Sequence, residues 1–373
     1  MKKILFIFGT RPEAIKLAPL IYACRKAHFD VRVCVTAQHR QMLDQVLGLF
    51  NIAPDYDLNM MENGQSLSDI GSKCLKSLGR VIDKVNPDMV FVQGDTTTTF
   101  AGALSAYYKK VPVAHIEAGL RSGNKFSPFP EEINRVLTSH IADYHFPPTQ
   151  KAAENLKREG VVSNVWVVGN TIVDALFMGL DIIRKRGELE YEKSFRFVNF
   201  NRKILLVTGH RRESFGSSFE SICYGLLGIV NKHDGVEIVY PVHLNPNVRE
   251  PVHKILGNNP RIHLIEPVDY PRFIWLMGKS YFILTDSGGV QEEAPSLRKP
   301  VLVMRDVTER AEGVRSGVAK LVGTESKNII NEATSLLEDK RKYRKMSKVK
   351  SPYGDGKTSE RIVGILSKVM KHG

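Results

Sequence analysis

An α/β protein of two Rossmann-like domains is the fold class the sequence predicts, on three observations. Short apolar runs alternate with amphipathic segments along all 373 residues, the pattern of a parallel sheet wrapped by helices. The chain also restarts its opening phrase. KILFIFGTRPEA at 3–14 and KILLVTGHRRES at 203–214 share residues at an offset of 200: Lys3/Lys203, Ile4/Ile204, Leu5/Leu205, Gly9/Gly209, Arg11/Arg211 and Glu13/Glu213. Finally, the length exceeds one ordinary core, at a prior of ~150 residues per domain.

Six strands are expected in the first half: ILFIF (4–8), VRVCVT (31–36), MVFVQ (89–93), VPVAHI (111–116), YHFPP (144–148) and VWVVG (165–169). Six more follow the restart: ILLVT (204–208), EIVYPV (237–242), IHLIE (262–266), YFILTD (281–286), VLVM (301–304) and KLVG (320–323). Helical stretches lie between most of them. The polar stretch 184–203 precedes the restart, and VGNTIVDAL (168–176) carries the crossing between domains. Beyond the turn-rich SPYGDGKTSE (351–360), Ile362, Ile365, Leu366, Val369 and Met370 share one helical face. This last helix is expected to pack back on the first domain. The division predicted is residues 1–170 with helix 358–373, and residues 171–357.

At 42% hydrophobic and 25% charged residues, the composition excludes long disorder. The opening MKKILFIFGTRPE imitates a signal peptide, but its apolar run stops after Phe8. No stretch approaches the ~20 apolar residues that span a bilayer, so no membrane association is expected. Cys24, Cys34, Cys74 and Cys223 lack CxxC spacing, which indicates neither a metal site nor a disulfide framework. A cytosolic (cytoplasmic) protein is the simplest reading. The net charge is +13, yet 340–350 alone carries seven basic residues and no acidic one, leaving 13 − 7 = +6 for the rest. That segment reads as a solvated helix, with no nucleic-acid partner, and the remainder suits a small anionic ligand.

Each echoed phrase is an apolar strand, a glycine turn and a helix start. Thr10-Arg-Pro-Glu13 is a capping-box pattern, with Pro12 suited to the first helical turn. Helix N-termini present free amides and partial positive charge to phosphate, and Arg11 and Lys16 add full charges. The plainer alternative is a cap with Lys16 on the surface. The spacing is not GxGxxG, so the dinucleotide fingerprint is absent and no nicotinamide cofactor is expected. LTDSGGVQEEA at 284–294 is a third loop of this kind. Its Ser287, Gly288 and Gly289 offer amides to phosphate, and an acidic residue one turn into the helix offers a carboxylate to ribose hydroxyls. A tight βα turn is the alternative there.

Carboxylates stand near the carboxyl ends of first-half strands: Asp95 in VQGDTTTT, Glu117 in HIEAGLR and Glu131 in FSPFPEE. In an open α/β sheet those ends line the ligand crevice. Converging with His210 of the second domain, they point to proton transfer across an interdomain cleft. Histidine, with an unperturbed pKa of ~6.5, serves as acid, base or phosphate ligand near neutrality. The alternatives are Asp95 as an N-cap and Glu117 as a structural partner of Arg121.

At these residues the chain resembles the bacterial non-hydrolysing UDP-N-acetylglucosamine 2-epimerases. The resemblance runs from GTRPEAIKLAPL to PYGDGK through TAQHRQMLDQVL, QGDTTTT, HIEAGLR, PEEINR, VTGHRRESFG, YPVHLNPNVR, LTDSGGVQEEAPSL and RDVTERAEGV. It implies a glycosyltransferase-B type fold, with the site in the cleft, a UDP-binding second domain and the last helix crossing back to the first. The implied reaction is reversible epimerisation of UDP-GlcNAc to UDP-ManNAc by anti elimination of UDP, through 2-acetamidoglucal, and re-addition of UDP. Asp95, Glu117 and Glu131 would share the acid/base work at C2 and stabilise charge at C1. His210 would lie near the departing diphosphate. Arg11, Lys16, Ser287, Gly288, Gly289, Glu293 and Arg310 match UDP-binding positions. Phe273, expected in a loop after IHLIE, matches one near the uracil. The resemblance further implies a homodimer without cofactor or metal, and a product destined for cell-surface polysaccharide. It implies too an allosteric UDP-GlcNAc site at Gln41, Gln45, Arg211 and His243. A hydrolysing epimerase giving ManNAc and UDP, a glycosyltransferase of the same fold, and a non-catalytic nucleotide-sugar or nucleic-acid binder are the rival readings.

Overall fold

Two six-stranded sheets, all their strands paired in parallel, organise the chain in a computed structural model that describes residues 1–37, 40–60, 64–211 and 214–370. Glu213, the echo of Glu13, lies outside the described residues, as does the side chain of Gln41. The chain divides into two units, Met1–Met178 with Tyr353–Gly373, and Gly179–Pro352.

The sheet of unit 1 comprises β1 (Lys3–Phe8), β2 (Asp30–Val35), β3 (Tyr56–Asp57), β4 (Met89–Gln93), β5 (Val113–Ile116) and β6 (Tyr144–Phe146), in the order β3-β2-β1-β4-β5-β6. Helices α1 (Arg11–Lys26), α2 (Arg40–Leu49), α3 (Leu67–Val85), α4 (Thr97–Tyr108), α5 (Glu131–Ile141) and α6 (Gln150–Arg158) fall between and after these strands. Ile4 to Phe8 are fully buried, because a strand covered on both faces needs apolar residues on both. That continuity makes the run legible without alternation.

The first half departs from expectation at two places. VWVVG (165–169) is not a strand: Trp166 donates its N–H to His145 O at 3.0 Å and Val168 donates to Pro147 O at 3.2 Å, with one isolated bridge at Val165. Its apolar side chains serve packing instead; the Trp166 ring stacks on Phe146 at 5.8 Å. The sixth strand is β3 at the opposite edge, two residues long, too short to leave a periodic signal.

In unit 2, β7 (Lys203–Thr208), β8 (Val236–Pro241), β9 (Ile262–Ile265), β10 (Phe282–Thr285), β11 (Val301–Val303) and β12 (Ala319–Leu321) run in the order β12-β11-β10-β7-β8-β9. All six expected strands are present. Counted within its own unit, each sheet has the order 3-2-1-4-5-6, so β1 and β7, the two echoed phrases, occupy the same central place.

Helix α7 (Thr171–Arg186) carries the chain from the first unit to the second. Next in unit 2 come α8 (Leu189–Ser194), α9 (Ser217–Lys232), α10 (Pro246–Leu256), α11 (Tyr270–Lys279), α12 (Gly288–Glu293), α13 (Ala311–Ser316), α14 (Ser326–Glu338) and α15 (Lys340–Ser347). The last helix, α16 (Thr358–Val369), packs on α1 as expected, with Ile362 and Leu366 fully buried. Its first turn lacks a side-chain cap of its own. The buried carboxylate of Asp174 supplies one, accepting from Thr358 N at 3.2 Å and Ser359 N at 2.7 Å, which satisfies otherwise orphaned helix donors. No described helix is long and apolar enough to cross a membrane.

Candidate active site

In each sheet the connections leave in opposite directions from the first and fourth strands, β1 beside β4 and β7 beside β10. The crevice at such a switch point is where open α/β sheets bind ligands, and the candidate residues gather at these carboxyl ends.

In unit 1 the turn after β1 begins at Gly9. A Cβ there would meet Thr36 Oγ1 at 2.2 Å and Thr98 Oγ1 at 2.7 Å, two hydroxyls themselves hydrogen-bonded at 2.8 Å. Only glycine fits. Glu13, one turn into α1 and 2% exposed, then collects five donors. Its Oε2 accepts from Gly9 N at 3.0 Å, Thr10 N at 2.8 Å and Thr10 Oγ1 at 2.7 Å. Its Oε1 accepts from Thr96 Oγ1 at 2.8 Å and Thr99 Oγ1 at 3.0 Å. The capping carboxylate thereby joins the β1–α1 turn to the β4–α4 turn that carries Asp95. Burial pushes its carboxyl above the ordinary value, against the hydrogen bonds.

Glu117 follows β5 with φ at +64°, a conformation costly for any residue but glycine and characteristic of functional sites. Its carboxylate is paired with Lys16 of α1, and Asn170 Nδ2 lies 3.4 Å away. Arg121 takes a different acid: it binds Glu159 through Nε at 2.7 Å and Nη2 at 2.6 Å. Nor is Asp95 the N-cap of α4. Thr96 fills that place, accepting from Thr99 N at 3.2 Å, and the Asp95 carboxylate is paired with Arg135 of α5. Arg135 is held in turn by Glu132 at 3.2 Å, whose carboxylate also accepts from Ser122 N at 3.0 Å and Gly123 N at 2.9 Å. Behind both acids, His115 of β5 hydrogen-bonds Gly94 O at 2.8 Å through Nε2. Burial drives its pKa down to about 3, so the ring is neutral. Glu131 opens α5 half-buried, next to Glu132, in helix rather than loop.

In unit 2 the turn after β7 is held from the neighbouring strand. Asp286, following β10 and 2% exposed, accepts from His210 N at 2.6 Å and Arg211 N at 2.8 Å through Oδ2. Tyr240 Oη supports the same turn, donating to Gly209 O at 2.9 Å. His210 is partly exposed, and its ring stacks on that of His243 at 5.6 Å. The SGG segment follows β10 as expected but is not a loop ahead of the helix: Ser287 is the N-cap of α12, and Gly288 and Gly289 are its first two residues. Arg310 lies against it: a Cβ on Gly288 would meet its Cζ at 2.9 Å, and its Nε donates to Glu292 at 2.9 Å. Glu293 is buried and accepts from Tyr270 Oη at 2.7 Å. The flanking segment is fixed by Arg305, which grips Glu309 at 3.0 and 3.3 Å.

Phe273 is in the first turn of α11 and not in a loop. Asp269 caps that helix by accepting from Arg272 N at 3.0 Å, and the DYPR spelling, with proline in the first turn, carried the signal. Arg11 is the first residue of α1 and Gln45 lies exposed on α2. Thus Lys16 with Glu117, Gly288 with Arg310, and His210 with His243 are brought together, each within its own unit. Sequence reasoning passed over Asp286, Arg135, Glu132 and the bridging role of Glu13. For Arg135 a signal existed: on α5 it stands one turn beyond Glu131 and Glu132.

Against this geometry stand the likenesses to known proteins. The family model described as UDP-N-acetylglucosamine 2-epimerase matches residues 22–367. A curated protein of that name from Escherichia coli (strain K12) is 53% identical over 368 residues, covering 98% of each chain. The crystal structure of UDP-GlcNAc 2-epimerase from Neisseria meningitidis bound to UDP-GlcNAc superposes with a TM-score of 0.92 at 50% identity, covering 98% of this chain and 100% of the other. That of the Methanocaldococcus jannaschii enzyme in complex with UDP-GlcNAc and UDP gives 0.81 at 39% identity, covering 98% and 99%.

Proposed function

The chain belongs to the UDP-N-acetylglucosamine 2-epimerase family, and on that premise we propose that it interconverts UDP-GlcNAc and UDP-ManNAc without hydrolysis. The C2 proton passes to a carboxylate while the C1–O bond breaks and UDP leaves with its electron pair, giving 2-acetamidoglucal. UDP then re-adds at C1 and a proton returns to the opposite face of C2. The sequence is redox-neutral and calls for no cofactor. Asp95, Glu117 and Glu131 share the proton transfers and stabilise positive charge at C1. Arg11, Lys16, Ser287, Gly288, Gly289, Glu293 and Arg310 hold the UDP moiety, with Phe273 near the uracil and His210 beside the diphosphate, where cationic and hydrogen-bonding groups lower the barrier to its departure.

The observation that carries the reading is Glu117. A buried carboxylate, charge-paired with Lys16 at a strand's carboxyl end on a left-handed backbone, is a costly arrangement for a merely structural ion pair. Incubation with UDP-GlcNAc, followed by proton NMR of the products, tests it. UDP-ManNAc at equilibrium with substrate is expected; one free UDP per ManNAc formed would establish the hydrolysing reaction instead. The homodimer, and a second UDP-GlcNAc site drawing on Gln41, Gln45, Arg211 and His243, belong to the same reading. Light scattering should give twice the 41.9 kDa chain mass, and UDP-ManNAc turnover should rise on adding UDP-GlcNAc. On this reading the protein works in the cytoplasm, and its product supplies sugar for cell-surface polysaccharide.

A further inference from the structure

Asp286 uses its two carboxylate oxygens differently. Oδ2 takes the N–H groups of His210 and Arg211. Oδ1 lies 3.2 Å from His210 Nδ1, close enough to pair but short of hydrogen-bond alignment, and it is buried with no other donor among the described residues. A buried acceptor left in that state is costly, and the imidazole is the group placed to relieve it.

We infer that Asp286 is a positioning residue for His210, holding its ring as the Nδ1–H tautomer with Nε2 left for the diphosphate and favouring the imidazolium as that leaving group gains charge. The inference rests on the role of His210 proposed above. The logic is that of a carboxylate behind a catalytic histidine. Burial raises the Asp286 carboxyl, but the neighbouring His210 side chain and the two backbone N–H groups bring it below its ordinary value, so it is anionic near neutrality. The other groups around the ring come from three places. His243 stacks on it from the β8–α10 connection, its own pKa lowered by burial and then by His210, its Nδ1 accepting from Asn245 N at 3.1 Å. Arg211 adjoins it along the chain, and Tyr240 of β8 reaches the turn beneath. His243 and Arg211 oppose a charge on His210, whereas Asp286 favours it.

Nitrogen-15 NMR of the histidines, with His210 assigned by its loss in His210→Asn, reads the tautomer directly. In the unsubstituted protein above pH 8 the Nδ1–H form is expected; a dominant Nε2–H form overturns the inference. In Asp286→Asn the amide oxygen still accepts both backbone N–H groups while its NH₂ donates to Nδ1. The tautomer should flip, and kcat should drop about 100-fold with KM little changed. A tautomer unchanged from that of the unsubstituted protein overturns the inference whatever the activity. Should that variant fail to fold, the tautomer in the unsubstituted protein decides alone. Failure of the epimerase reading shows separately, as absence of UDP-ManNAc, and leaves the NMR result readable.

Discussion

Replacing Glu13 by alanine should loosen unit 1 by an amount the structure allows to be worked. The side chain is 2% exposed and accepts five hydrogen bonds, from Gly9 N, Thr10 N and three threonine hydroxyls. The hydroxyls can re-aim, but the two backbone N–H groups cannot, and each left unmet costs ~1–3 kcal/mol. Relief of a buried carboxylate and entry of water into a polar hole offset about half of this, leaving ~1–3 kcal/mol. A fall of ~2–12 °C in the melting temperature of unit 1 follows for a domain of roughly 200 residues. The two tryptophans make it measurable, since Trp166 lies in unit 1 and Trp275 in unit 2. In a Trp275→Phe background, fluorescence reports on unit 1 alone. Glu13→Gln, which keeps one acceptor oxygen, should cost ~1 kcal/mol or less. The pH dependence carries a sign. With its folded carboxyl raised above 4.5, protonated Glu13 adds stability that is full below the unfolded pKa and lost as pH rises through the folded one. The margin over Glu13→Ala should therefore be wider at pH ~5 than at pH 8. A Glu13→Ala protein within ~0.5 kcal/mol of the parent would refute the bridging role.

Further outcomes follow from the same geometry. Asp95→Asn and Glu117→Gln should each lower turnover by about 100-fold or more while UDP affinity, by calorimetry, stays within a few-fold; loss of UDP binding in both would assign them a folding role. Gly9→Ala drives a methyl into the Thr36–Thr98 hydroxyl pair and should cost ~1–3 kcal/mol by urea unfolding. Arg310→Lys loses the Glu292 bond and the planar contact over Gly288, so UDP affinity should fall about tenfold, since lysine cannot replace the guanidinium fork. Reversing the charges of 340–350, on a helix with no buried residue over Lys340–Ser347, should leave turnover unchanged.

What the sequence disclosed follows physical rules. Strands buried on both faces, such as Ile4–Phe8, announce themselves as unbroken apolar runs, and the repeat at 203 located the second central strand. The two-residue β3 has no such run, and VWVVG has one that serves ring stacking on Phe146. At the site, the Thr10–Glu13 spacing disclosed a cap but not its reach to Thr96 and Thr99, because that link depends on β4 lying beside β1. Asp286 was hidden for the same reason. Its partner is 76 residues distant in sequence, and only the pairing of β10 with β7 brings them together.

The claim at the centre of this account is that the C2 hydrogen leaves as a proton in every turnover. Running the reaction in deuterium oxide and reading C2 by NMR and mass spectrometry tests it. UDP-ManNAc carrying one deuterium at C2, with UDP-GlcNAc acquiring the same label as equilibrium is reached, is the predicted result. UDP-ManNAc formed with its original C2 hydrogen would contradict it.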